Sequence, residues 1–215
     1  MKSEELIERI VEEKGEEAIP ILKSLLIEYD DEKLIKLIIE TLDKLGKAGK
    51  EEIYKVFSEL CRNKNELNNP KIYYLIDSLA NNDDRRIIPD LMSILKKTKY
   101  EETNLLIYDA LAMLGEGEKV VDVLTVMSEE EFDQDSWEIL IMALSHTKSV
   151  KAFLKLKEMY NDQKDENRKI MILEGMINIL NEREELIPQL NNDESGREIL
   201  KKINLWLKNN EKNFQ

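Results

Sequence analysis

The chain is poor in the residues that small disulfide-bonded, sandwich and metal-dependent folds are built from. Its 215 residues include one cysteine, one histidine, four prolines and seven glycines. A lone thiol, Cys61, excludes an intramolecular disulfide framework and fits a reducing compartment. A lone imidazole, His146, excludes a multi-histidine metal site. So few Pro and Gly leave little material for sandwich turns or long linkers. No apolar run is long enough to span a bilayer, and Met1–Val11 has no basic-then-apolar leader pattern, so the expected location is cytoplasmic. Basic residues are outnumbered too: 32 Lys and Arg stand against 45 Asp and Glu, a formal net charge of −13. A surface this acidic repels phosphate backbones, and direct nucleic-acid binding is not expected. The densest basic runs, 93–100 and 199–208, are short and broken by apolar residues, which suits helix ends and faces.

What is abundant is Leu, Ile, Glu and Lys, a mixture that favours helix. It is also repetitive. The octet "YDALAMLG" at 108–115 follows the pattern of "IETLDKLG" at 39–46. Aligning on the small residue before the leucine gives Thr41, Ser78, Ala110, Ala143 and Gly175, spaced 37, 32, 33 and 32 residues apart. A second phrase alternates with the first: "IPIL" at 19–22, "IPDL" at 88–91 and "IPQL" at 187–190. Degenerate versions stand at 53–56, 121–124 and 150–153.

Each phrase lies in an amphipathic stretch of helical period, as in Leu34, Leu37, Ile38, Leu42 and Leu45. Asp31, Asp133 and Asp165 fall ten residues before the small position, where a short acid caps a helix start. Gly46 and Gly115 follow the last apolar residue, where a left-handed helix end favours glycine. Pro20, Pro89 and Pro188 sit near helix starts, where a missing N–H costs least. The predicted unit is a helical hairpin. Copies are placed at 15–47, 50–82, 85–115, 118–147, 148–181 and 184–210, after a lone helix at 3–14. One hairpin cannot hide its apolar stripe alone, so the copies are expected to stack into a single domain spanning 1–215. The small residue lets neighbouring helices approach closely.

These phrases resemble the HEAT-like repeats of the armadillo-type fold, over about 15–210 of the chain. The resemblance rests on "IPxL" in first helices and on acid–small–Leu–x–x–Leu–Gly in second helices. It implies an all-α, right-handed α-α superhelix of about six hairpins plus an N-terminal helix. Second helices would line the concave side, and the function would be binding other proteins. The arginine ladder of the phycobilisome-lyase subtype is missing, its places being held by Ile35, Ile72, Asn104, Trp137 and Lys169. Tetratricopeptide repeats have a similar period, but their Trp/Gly/Tyr pattern is not visible.

Parts for catalysis are few. Cys61 and His146 lie about two and a half hairpins apart, too far for a nucleophile pair in a neighbour-only architecture. Cys61 reads as a buried or half-buried structural thiol, and His146 as a solvated or dipole-favoured side chain near a helix end. "GEGE" at 115–118 lacks the Lys-Ser/Thr of a phosphate loop. A duplex-binding groove of the HEAT-like glycosylase kind would need basic residues, and the column preceding each small residue reads Glu40, Asp77, Asp109, Met142, Glu174. Two readings of that column stand: an ordinary solvated face, or an acidic strip for a basic partner. One turn earlier come Lys36, Tyr73, Leu105, Glu138 and Ile170, read as outward. With Tyr108 and Met142 the apolar members form a stripe suited to an amphipathic helix or peptide, or else belong to helices that simply bury more. Trp137 and Trp206 are expected in the core, Trp206 closing the C-terminal end with Ile199, Leu200, Ile203 and Leu207. The expected protein is a non-enzymatic adaptor without cofactor or metal, binding a basic or amphipathic segment. The alternative is an accessory subunit of a larger enzyme or nucleic-acid-processing complex.

Overall fold

The computed structural model describes residues 3–62, 69–98 and 100–211, with side chains as far as Lys208. The ends of the chain, the stretch 63–68 and Lys99 lie outside it, and with them most of the charged C-terminal tail and one lysine of the 93–100 run. Among the described residues the chain is helix and connecting turn, with no strand. None of the helices is long and apolar enough to cross a membrane.

Two compact units divide the chain, Met1–Ala110 and Leu111–Gln215. The first runs through α1 (Ser3–Lys14), α2 (Ile19–Glu28), α3 (Glu32–Lys44), α4 (Lys47–Arg62), α5 (Lys71–Asn81), α6 (Ile88–Leu95) and α7, which spans Glu101–Leu111. The second contains α8 (Gly117–Met127), α9 (Gln134–His146), α10 (Val150–Asp162), α11 (Glu166–Glu182), α12 (Ile187–Leu190) and α13 (Glu194–Glu211). Neighbouring helices pack in succession. Within the first unit α2 packs on α3 and α4 on α5; α1, α3 and α5 adjoin in sequence, as do α2, α4 and α6. Within the second unit α8 packs on α9, α10 on α11 and α12 on α13, with α9–α11–α13 adjoining and α8 beside α10.

The helix boundaries have identifiable causes. Asp31, Asp133 and Asp165 each accept a bond from the backbone N–H three residues on, at 2.8–2.9 Å. This satisfies one of the N–H groups that every helix start leaves unpaired. Ser149 does the same for α10, accepting from the Ala152 N–H at 3.0 Å. The three "IP" helices carry their proline in the first turn, and each is preceded by a short 3₁₀ turn: Gly15–Ala18, Arg85–Ile87 and Glu184–Leu186.

Four of the second helices, α3, α5, α7 and α9, end in one geometry. Gly46 and Gly115 adopt φ of 73° and 86°, as their positions predict. Asp83 and Lys148, also five residues past the small position, adopt φ of 51° and 52° without being glycine. After α5 the terminating bonds run from Asp83 N–H to Ala80 O and from Asp84 N–H to Leu79 O, the paired pattern that closes a helix on a left-handed residue.

The small positions Thr41, Ser78, Ala110, Ala143 and Gly175 are all buried. The residue after each (Leu42, Leu79, Leu111, Leu144 and Met176) is at most 1% exposed. Each such side chain contributes about 1.5–3 kcal/mol by leaving water. Trp137 is in the core as expected. At the C-terminal end Ile199 and Ile203 are buried, while Leu200 and Trp206 are only half-buried and Leu207 is exposed.

Candidate partner-binding face

In the first unit, the outward positions of α3, α5 and α7 divide into three kinds. Glu40 and Asp77 are exposed, and Asp77 accepts a bond from the Asn81 amide at 3.0 Å. Lys36 is exposed but engaged: its ammonium pairs with Glu32 at 3.0 Å and lies 5.0 Å above the Tyr74 ring. Burial and the adjoining Glu32 carboxylate push the Tyr74 hydroxyl up to about 12. Tyr73, Tyr108 and Asp109 are half-buried, and the Tyr73 hydroxyl shares a 2.9 Å bond with Thr103 at the start of α7.

Leu105 corrects the expectation of an outward residue. It is 0% exposed. From Thr103 to Tyr108, α7 carries no charge, and Thr103, Leu105, Ile107, Ala110 and Leu111 are all buried. Beyond its exposed first turn (Glu101 and Glu102), no residue of α7 is exposed, and the apolar stretch around Leu105 packs inward. The repeat register therefore does not transfer to this position.

In the second unit, Met142 and Glu174 are exposed and Glu138 is half-buried. Glu138 accepts from the Gln134 amide at 2.8 Å, and Gln134 in turn accepts from Arg168 Nε at 3.0 Å. The Arg168 guanidinium covers the Trp137 ring at 4.9 Å, so α9 and α11 are tied at their N-terminal ends. Further along, between the same helices, opens a groove of about 300 Å³ whose walls include Ile141, Met142 and Met171, with Glu174 at its rim. The other lining residues are Ser145, His146, Gly175 and Asn178. Met171 was not singled out by the sequence reasoning; its signal was a bulky, flexible residue beside an outward isoleucine, Ile170, which is 44% exposed.

Ion pairs tie neighbours in both helix sets: Lys148, just past α9, pairs with Glu182 on α11. First helices are cross-linked: Lys23 on α2 with Glu52 on α4 at 2.6 Å, and Asp122 on α8 with Lys151 on α10 at 2.8 Å. Arg86, before α6, bonds Glu51 on α4 at 2.8 Å. On the second helices, Glu40 and Glu174 have no cation partner among the described residues. A polar link also holds the second helices together. Asp43 on α3 accepts from Ser78 Oγ at 2.8 Å and from Asn82 Nδ2 at 2.9 Å, both contributed by the end of α5. Burial pushes the Asp43 carboxyl above the usual range despite those two donors. In the second unit Asn178 Nδ2 donates to Ser145 Oγ at 3.1 Å.

Cys61 is half-buried, and burial, with Asp90 adding to it, pushes its thiol up to about 12. It is a neutral thiol at ordinary pH and a poor nucleophile. His146 is half-buried at the end of α9 and belongs to the other compact unit. Among the described residues no three His, Cys, Asp or Glu side chains converge so that they could hold a metal ion. Comparison of the chain with protein-family models, with characterised proteins and with solved structures gave no match.

Proposed function

We propose that the protein is a non-catalytic binding module of the HEAT-like kind, taking basic, amphipathic segments of another protein on the outward surfaces of the second helices within its compact units. One observation carries this reading. Glu40 and Glu174, exposed on second helices, have no cation partner among the described residues, whereas some first-helix acids, Glu52 and Asp122 among them, are paired across to a neighbouring helix. An unneutralised, exposed carboxylate is well solvated in the free protein. A lysine or arginine brought against it gains attraction and steering without breaking an existing pair. The exposed Met142 and Ile170 beside Glu174 add apolar contact that a purely solvated face has no use for.

The test compares two charge-matched triple variants. Glu40→Gln, Asp77→Asn, Glu174→Gln removes three exposed second-helix acids; Glu28→Gln, Glu118→Gln, Glu158→Gln removes three exposed acids from first helices. Both shift the net charge equally. A basic amphipathic helical peptide, followed by fluorescence anisotropy, should lose about tenfold in affinity on the first variant and roughly twofold or less on the second. Equal losses would mean only bulk charge is at work, and the proposed face would be wrong.

A further inference from the structure

We infer that the groove between α9 and α11 is the anchor site of that face: it takes one flexible apolar side chain, leucine or methionine, from a partner helix that carries lysine or arginine one turn away. The inference rests on the second-helix reading and names the chemistry of its occupant.

The groove exists because α9 and α11 meet through small residues. Gly175 contributes no side chain, and a Cβ added there would already stand 3.3 Å from Ile141 Cγ2 and 3.5 Å from Ser145 Cβ. The floor is thus a close contact between the two helices, and the space above it is bounded by the long side chains on either side. Polar groups in the floor are spoken for. The Ser145 hydroxyl donates to Met142 O at 2.9 Å and accepts from Asn178 Nδ2 at 3.1 Å. Water entering the groove therefore finds few free partners, and displacing it loses little. The walls are chiefly hydrocarbon and thioether.

Size and shape narrow the occupant. About 300 Å³ is at the bottom of the range for small-molecule sites, roughly 300–1,000 Å³. The groove is also open along one side, so a free small molecule would remain half in water. A side chain projecting from a helix laid over the groove would be closed in by its own backbone and neighbours. Met142, 51% exposed, and Met171 are unbranched and polarizable, and such walls adapt to the shape of what enters.

Charge narrows it further. No lysine or arginine lines the groove. Glu138 already accepts from the Gln134 amide, whereas Glu174, which lines the groove, has no cation partner among the described residues. On a helix, residues three or four apart share a face, so an anchor at one position and a cation one turn away reach the groove and Glu174 together. Ile170, one turn before Glu174 on α11, prolongs the apolar strip for a second contact. An acidic or phosphorylated segment would meet repulsion at the same rim.

The experiment selects random peptides of about fifteen residues, displayed on phage, against the intact chain, and then maps the winners. Selected peptides should pair a leucine or methionine with a lysine or arginine three or four positions away. Adding one to protein labelled at its methionine methyls should shift the Met142 and Met171 signals and leave that of Met92, exposed on α6, in place. Replacing both groove residues, Met142→Gln and Met171→Gln, should weaken binding about tenfold, while Glu40→Gln with Asp77→Asn changes it roughly twofold or less. Met142 is exposed and Met171 half-buried, and a thermal melt checks that the double variant remains folded. Peptides that bind with the Met142 and Met171 methyls unmoved, and that depend instead on Glu40 and Asp77, overturn the anchor site and leave the second-helix reading standing. No enrichment over an unrelated acidic protein overturns both.

Discussion

Four of the second helices, α3, α5, α7 and α9, set the same conformational demand with different residues, and the cost falls on the side chain. Gly46 meets a φ of 73° freely, whereas Lys148 and Asp83 carry a Cβ into the left-handed region. There an L-residue is disfavoured by about 1–2 kcal/mol. Gly46→Ala should therefore lose about 1–2 kcal/mol in urea denaturation. Asp83→Gly should gain roughly 0.5–1 kcal/mol, the relief of strain less the extra freedom of glycine in the unfolded chain. Its exposed ion pair with Arg85 subtracts only a few tenths of a kcal/mol. A neutral Gly46→Ala together with a destabilising Asp83→Gly would show that the helix ends are not strained in this way. Asp43 carries a different cost. Its folded carboxyl titrates above the usual range because burial disfavours the charge. The sign follows from proton uptake: between the ordinary aspartate value and the higher folded value, the native state holds the extra proton. Stability from this group is thus full at low pH and declines as pH rises through that window. Asp43→Asn, which cannot ionise, should gain relative to the parent chain as pH is raised from 4 to 7, read as the difference between their melting temperatures. A difference that stays flat or runs the other way would mean the Ser78 and Asn82 bonds outweigh burial.

Between helices, what matters is where the backbones come closest. A Cβ at Gly49 would lie 1.9 Å from Leu42 O, a backbone atom that cannot turn aside. At Gly175 the nearest obstacle is a side-chain methyl at 3.3 Å, which can yield. Gly49→Ala should cost about 1–3 kcal/mol by forcing α3 and α4 apart. Gly175→Ala should come out near neutral, because about 1 kcal/mol of helix propensity offsets the crowding. Circular-dichroism melts of the two variants decide it; equal losses would show that the α9–α11 contact is as rigid as the α3–α4 contact. The same elements show what can be read from sequence. Hairpin boundaries, aspartate caps and first-turn prolines were legible because unpaired backbone groups restrict which residues can stand there. Asp83 and Lys148 were not, since the left-handed ends were sought through glycine. Leu105 was misplaced because a repeat register assumes every helix keeps one wet side, and α7 does not. The Asp43–Ser78–Asn82 link was hidden because Ser78 reads only as a small contact residue, and Asp43 and Asn82 look like residues of a solvated helix end. Of the candidate face, the exposure of Glu40, Asp77, Met142 and Glu174 was readable; the groove beside the last two was not, because it depends on how near Gly175 brings α11 to α9.

Over the whole chain the governing quantity is the formal charge of −13. Salt acts on it through two opposed effects, and their distances decide between them. The cross-helix pairs are in contact, 2.8 Å for Asp122–Lys151 and 2.5 Å for Lys157–Asp193, far inside any Debye length. Screening barely reaches them, and exposed pairs of this kind contribute only about 0–1 kcal/mol each. The excess acids repel one another over longer separations, comparable to the Debye length. That length shrinks from about 30 Å at 0.01 M to about 8 Å at 0.15 M ionic strength. Repulsion is therefore relieved more than attraction is lost, and the folded chain, in which the charges are crowded, benefits more than the unfolded one. Raising sodium chloride over that interval should lift the melting temperature, by about 2–4 °C for each kcal/mol recovered. Replacing sodium by potassium should make no difference if the effect is screening. Binding of a basic peptide must respond in the opposite direction to the same step, because there the long-range field attracts. A chain that loses stability with added salt would place its dominant electrostatics in the cross-helix pairs, and the acids of the second helices would then have no excess field to offer a partner.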